Sequence, residues 1–104
     1  MKAEIFNYKD WVENTDPYSL FKEFKHLLEY SNFQILGTVD HHFEPYGYTA
    51  LFLLGESHLA IHTFDEEDKT YIELSSCNKE YYDRFIYYYK NTTKANLEKI
   101  GLNE

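Results

Sequence analysis

The sequence is poor in the residues that most often announce a site. It holds one cysteine, Cys77, so an internal disulfide and a CxxC zinc site are both excluded. Its 4 glycines and 2 prolines are too sparse for a flexible hinge, and no repeat or low-complexity tract is present. Basic residues are few: 10 Lys+Arg stand against 18 Asp+Glu, a formal net charge of -8. That balance argues against a nucleic-acid module, which needs a basic stripe to meet phosphates. No apolar run approaches the roughly 20 residues of a membrane span. The amino end, Met1-Lys2-Ala3-Glu4, lacks a basic-then-apolar signal segment. The expectation is a cytoplasmic protein that binds neither nucleic acid nor membrane.

Aromatic rings are abundant, with 11 Tyr, 8 Phe and 1 Trp making 19% of the chain. Rings bury large areas with few rotatable bonds, so a 104-residue chain can build a firm core from them. The same faces also suit planar rings and cations. The length predicts a single domain, 1–104, with room for one sheet and two or three helices.

A short strand is predicted over Ala3 to Tyr8. Asp16-Pro17 reads as a helix start, an acidic N-cap followed by proline at the first position. Leu20, Phe21, Phe24, Leu27 and Leu28 then form one apolar stripe to about Tyr30, closed by Ser31-Asn32. Four strand-like segments follow: Phe33 to Phe43 with Gly37 as a bulge, Tyr46 to Leu54, His58 to Phe64, and Thr70 to Ser75. Asp65-Glu66-Glu67-Asp68 reads as an acidic turn. A second helix fits Lys79 to Tyr89, capped by Asn78, with Tyr82, Phe85, Ile86 and Tyr89 on one side. Ala95 to Leu102 fits either a last edge strand or a short helix. The fold class expected is α+β, a two-layer α/β sandwich with helices on one face of an antiparallel sheet.

The chemistry concentrates in Leu53 to Thr63. Ser57 with His62 offers a nucleophile and a base, but GxSxG is absent because Leu59 stands where the second glycine belongs. His58 and His62 are four apart, a zinc spacing on a helix but not on a strand, and the segment holds no obvious third ligand, though His41-His42 in a different segment could supply one. No metal site is expected. Read alone, each histidine is a surface or hydrogen-bonded core residue.

The run Gly55-Glu56-Ser57-His58-Leu59-Ala60-Ile61-His62-Thr63 resembles the processing site of prokaryotic-type S-adenosylmethionine decarboxylases, and it has company. His42-Phe43-Glu44-Pro45 with Gly47 resembles the family's upstream stretch. Thr49 stands eight residues before Ser57 and Cys77 twenty after it, the family's spacings for a Ser/Thr and a catalytic cysteine. The resemblance covers about Leu36 to Cys77. It implies a zymogen that cuts itself at Glu56–Ser57 into a 1–56 β chain and a 57–104 α chain, with Ser57 converted to a covalently bound pyruvoyl cofactor.

The resemblance also assigns roles. His62 would remove the serine α-proton, a task its near-neutral pKa suits, and Thr49 would steady the tetrahedral intermediate. The pyruvoyl ketone would form a Schiff base with the substrate amine and act as an electron sink for decarboxylation, and Cys77 would return a proton. Phe43 resembles the adenine-stacking position, Phe64 stands where the family usually has Trp, and Glu66 resembles the ribose-binding carboxylate. Asp65 replaces the family's proline and Asn78 the glycine after its cysteine. The implied activity is a lyase making the aminopropyl donor for spermidine, within polyamine biosynthesis, as a homodimer with sites near the subunit interface. The alternatives are a pyruvoyl decarboxylase of ornithine or arginine, and an uncleaved homologue acting as a binding or regulatory subunit. Strict strand alternation puts Ser57 and His62 on opposite faces, so their meeting requires a strand that bends or begins after Ser57.

Overall fold

Alternation of side chains organises the structure, a computed structural model that describes residues 3–99. Five strands, β1 (Phe6–Val12), β2 (Ile35–His42), β3 (Tyr48–Leu54), β4 (Ser57–Phe64) and β5 (Lys69–Ser76), form one antiparallel sheet. Their spatial order is β1-β5-β4-β3-β2. On one face Tyr48, Ala50, Phe52 and Leu54 of β3 line up with Leu59 and Ile61 of β4 and with Ile72 and Leu74 of β5, all buried. Helix α1 (Pro17–Tyr30) covers that face with Leu20, Phe24, Leu27 and Leu28, and α2 (Lys79–Tyr88) adds Phe85. Burying each such side chain stabilises the fold by about 1.5–3 kcal/mol before entropy is set against it. The result is the two-layer α+β architecture expected.

The helix ends follow their residues. Asp16 Oδ2 accepts the Ser19 amide at 2.8 Å ahead of Pro17, and Asn78 Oδ1 accepts the Tyr81 amide at 3.0 Å. Ser31 Oγ donates to the Leu27 carbonyl at 2.7 Å, and Asn32 takes φ 75°, which ends α1. Gly37 marks a register shift in β2 against β3. The acidic turn is a short 3-10 segment over Asp65–Glu67.

The bounds of β2, β3, β5 and α2 move by one or two residues from the sequence expectation, and three further differences bear on the site and the core. The first strand is Phe6–Val12 rather than Ala3 to Tyr8, because its inward residues are Tyr8, Asp10 and Val12 and the acid interrupts an apolar pattern. That Asp10 is satisfied from the helix layer: Tyr89 Oη donates to Oδ2 at 2.6 Å and Lys94 Nζ at 2.8 Å. β4 begins at Ser57, one residue before the expected start. After α2 the chain forms a π-helical turn over Tyr89–Thr93 and then α3 (Lys94–Lys99), so the tail is helical as far as it is described, and the expected element's end at Leu102 lies outside the described residues. The π turn brings Tyr89 and Lys94 to the same carboxylate.

Burial alone would raise the Asp10 pKa, but the bonds from Lys94 and Tyr89 outweigh it and hold the group below the usual aspartate range. A depressed carboxylate adds stability above its unfolded pKa of about 3.9 and loses it as pH falls through the folded value. Asp10→Ala strands the buried Tyr89 hydroxyl, so urea unfolding at neutral pH is expected to show a loss of about 2 kcal/mol. The difference from the parent should shrink as acid titrates Asp10 in the parent.

The second sheet face carries no helix among the described residues. Val39 is 63% exposed there, Leu51 42% and Leu53 58%. Trp11, Phe64 and Tyr71 cluster towards one end of it, with Trp11 5.7 Å from Phe64 and 5.2 Å from Tyr71 between ring centroids.

Candidate active site

Gly55 and Glu56 form the two-residue turn between β3 and β4, closed by the Leu54–Ser57 pair. Glu56 has φ 59°, a left-handed conformation that costs a non-glycine residue about 1–2 kcal/mol. The strained residue therefore supplies the carbonyl of the Glu56–Ser57 peptide bond. Ser57 points into the helix-covered face, where its Oγ donates to Ser76 Oγ at 2.8 Å. Ser76 in turn accepts the Asn78 amide at 3.0 Å and lies 3.4 Å from the Asn78 carbonyl. The turn also meets the end of β5: Cys77 Sγ lies 3.4 Å from the Glu56 backbone oxygen and 3.3 Å from Glu56 Oε1. Its hydrogen bond to the Glu56 carboxylate, aided by burial and the carboxylate's charge, pushes the thiol pKa up. Beside these groups runs a cleft of about 350 Å³ that Ile5, Leu53 and Ser75 help to line.

The other candidates gather at the opposite end of the sheet. Thr49 and His62 are directly paired across β3 and β4 on the open face, with Thr49 Oγ1 3.0 Å from His62 Nδ1. This contact fixes one ring nitrogen and leaves Nε2 for other work. The ring lies against Tyr71, near-parallel at 6.4 Å, and the Tyr71 hydroxyl donates to Glu73 at 2.8 Å. Phe43 follows β2, Phe64 ends β4, and Glu66 lies in the 3-10 turn after it; all three are exposed. Tyr46, in the same loop as Phe43, has its phenol pKa raised by desolvation and by the Glu66 carboxylate facing it.

The structure thus brings Glu56, Ser57 and Cys77 together, and separately Thr49 with His62. It does not bring Ser57 to His62 within one chain. β4 starts at Ser57 and runs without a bend in its pairing to Phe64, so the strand geometry their meeting required is not present. Five residues of strand separate the two by about 16 Å, and their side chains leave opposite faces. The sequence reading missed Ser76, whose signal is its place as Ser57's cross-strand partner on an inward face, and Tyr71, whose signal is the same relation to His62. Among the described residues no group of three His, Cys, Asp or Glu side chains is placed to hold a metal ion.

Comparison with known proteins gives these positions a setting. The S-adenosylmethionine decarboxylase family model matches residues 5–100. A Clostridium botulinum S-adenosylmethionine decarboxylase proenzyme is 31% identical over 95 residues, covering 88% of this chain and 80% of the relative. A Bacillus cereus S-adenosylmethionine decarboxylase proenzyme 2 is 43% identical over 49 residues, 47% of this chain and 40% of the relative. The Bacillus anthracis protein of the same description is 37% identical over 62 residues, 60% of this chain and 50% of the relative. The chain therefore spans about half the length of these Bacillus relatives. The adenosylmethionine decarboxylase of Aquifex aeolicus shares the fold, with a TM-score of 0.67 at 18% identity over 90% of this chain and 84% of that one. By the extent of the family match and the clostridial identity, this chain belongs to the S-adenosylmethionine decarboxylase family.

Proposed function

We propose that the chain is a self-processing decarboxylase of S-adenosylmethionine, cut at Glu56–Ser57 and working as a homodimer. The observation that carries the reading is Cys77 Sγ against the carbonyl of a bond whose preceding residue is held left-handed. In the uncut chain the thiol proton polarises the Glu56 carbonyl, and the Ser57 hydroxyl attacks its carbon. The attacking oxygen passes its proton towards Ser76 and the Asn78 carbonyl. Collapse of the tetrahedral centre breaks the C–N bond, the departing nitrogen takes up the proton given up by the hydroxyl and becomes the amine of Ser57, and Glu56 is left as an ester on the Ser57 oxygen. The release of the left-handed turn favours this step. Removal of the Ser57 α-proton by an imidazole then expels the Glu56 α-carboxylate and leaves a dehydroalanine at position 57, which water hydrolyses to the pyruvoyl group with loss of ammonia.

The residues present fit a pyruvoyl group made in this way, because Ser57 occupies the first position after the turn and Cys77 already faces that bond. Such a group supplies an electron sink for loss of carbon dioxide from an amine-bearing substrate. This chain's own groups do the rest. Cys77 returns a proton to the substrate carbon, Phe43 and Phe64 offer faces to a purine and a sulfonium, and Glu66 accepts from ribose hydroxyls.

A homodimer closes the distance between the two clusters, and the group the imidazole must reach, the Ser57 α-proton, sits on the strand backbone rather than on the inward side chain. A second copy packed on the open face about a two-fold axis lying in the interface and perpendicular to the strands reverses the strand direction. The Glu56–Ser57–Cys77 end of one copy then faces the Thr49–His62 end of the other, and Phe43, Phe64 and Glu66 arrive with the latter. Val39, Leu51 and Leu53 are the apolar surface available for burial. No helix among the described residues is long and apolar enough to cross a membrane, and the cytoplasm is the location proposed. The product would be the aminopropyl donor for spermidine synthesis.

Release of labelled carbon dioxide from carboxyl-labelled substrate tests the reading. S-Adenosylmethionine is expected to turn over at least 100-fold faster than ornithine or arginine, because a site built on rings and one ribose-binding acid loses several contacts with a bare amino acid. Faster turnover of ornithine or arginine would move the substrate assignment to the basic amino acids and give Asp65 and Glu66 a different partner.

A further inference from the structure

The residue before the cut has a side chain that the processing chemistry does not use. Glu56 Oε1 stands 3.3 Å from Cys77 Sγ, on the same thiol that touches the Glu56 backbone oxygen at 3.4 Å. One S–H can serve only one strong acceptor at a time, so carboxylate and carbonyl share it. Cys77 also immediately precedes Asn78, the N-cap of the ten-residue α2. A helix amino terminus stabilises a thiolate, and a thiolate at that place has no proton to give. A carboxylate at hydrogen-bond distance works in the opposite sense, favouring the protonated thiol.

From this geometry we infer that Glu56 is a positioning residue for Cys77, whose carboxylate keeps the thiol protonated and aimed at the reaction centre before the cut and after it. The inference rests on the reading of Cys77 as the proton donor. It assigns to the last residue of the first fragment a task in the mature site, held there by its contact with Cys77 and by the β3 strand that ends at Leu54. Other charges near the thiol are already engaged. Lys79 pairs with Asp83 at 3.0 Å, Glu80 with Arg84 at 3.3 Å, and His58 lies on the open face near Glu73. The direction of the thiol's pKa, upward with the Glu56 hydrogen bond as its largest cause, agrees with this role.

Because Cys77 is the sole cysteine, its ionisation can be read directly from the pH dependence of iodoacetamide alkylation. The measurement uses the full chain with Ser57→Ala, which keeps every molecule uncut, and compares Glu56 with Glu56→Gln and Glu56→Asp. Glu56→Gln is expected to alkylate about tenfold faster near pH 8, because the thiol loses the carboxylate that favours its protonated form. Glu56→Asp, which keeps the charge on a shorter arm, should fall between the two. Circular dichroism confirms that each variant is folded, and the Asp variant carries the test if the Gln variant is not. Superimposable alkylation profiles for the folded variants would overturn the inference. The readout is independent of turnover: a shifted profile, together with a parent chain that keeps Ser57 and yet never cuts itself, would sink the decarboxylase reading and leave the Glu56–Cys77 coupling standing. An unshifted profile in an active enzyme would do the reverse.

Discussion

Two chains that are each unable to process, one with Ser57→Ala and one with His62→Ala, are expected to restore cleavage when co-expressed, and the chain that is cut should be the one carrying His62→Ala. In each variant alone every site lacks either the nucleophile or the base. In a mixed dimer with reversed strand direction, Ser57 of the His62→Ala chain meets His62 of the Ser57→Ala chain. The second site of the same dimer holds both substitutions and stays inert. Random pairing makes half of the dimers mixed, so about half of the His62→Ala chains should be cut. The argument stands on the strand: Ser57 and His62 leave opposite faces of β4 at positions about 16 Å apart, too far for a proton transfer within one subunit. If cleavage is absent from the mixture while wild-type chains cut themselves, the base acts within its own subunit and the proposed packing is wrong.

Leu51→Lys should produce the second large effect, the loss of both dimer and processing with little loss of fold. Leu51 is 42% exposed beside Val39 and Leu53 on the uncovered sheet face. In the isolated chain a lysine there keeps its ammonium in water, and the change in stability stays within about 0.5 kcal/mol. In a two-fold dimer the same substitution places two ammonium groups in one apolar contact, because an isologous interface repeats every change. Burying an unpaired charge costs several kcal/mol per ion, enough to separate the subunits at micromolar concentration. Size-exclusion chromatography with light scattering should give a monomer, and the chain should remain whole. A dimer that persists and processes normally would show that the subunits meet elsewhere.

Much of the fold was legible because single residues carried it. Asp16-Pro17 and Asn78 mark helix starts by hydrogen bonding their own backbone, and Gly37 marks the bulge. β3 announced itself as a mostly apolar run, and β4 and β5 by side chains that alternate along the chain, as their burial does. β1 was misplaced because Asp10 occupies an inward position, and nothing local reveals that Tyr89 and Lys94, 79 and 84 residues away, satisfy it. The π turn that delivers both is equally non-local. For the candidate site the sequence supplied the residues and even the conflict, since alternation alone separates Ser57 from His62. What it did not supply is the left-handed Glu56, the hydroxyl of Ser76 opposite Ser57, and the thiol of Cys77 on the carbonyl of Glu56. The first depends on how β3 closes on β4, and the other two on how β5 is registered against β4, which no local pattern encodes.

The central claim is that this chain cuts itself at one bond, and intact mass spectrometry of freshly purified protein, with Ser57→Ala as control, tests it most directly. The account predicts two fragments from the parent, one of 56 residues ending at Glu56 and one beginning with a blocked, carbonyl-reactive residue 57, and a single mass from Ser57→Ala. A parent chain that stays at one undivided mass through long incubation would contradict it, and the reading as an uncleaved binding subunit would take its place.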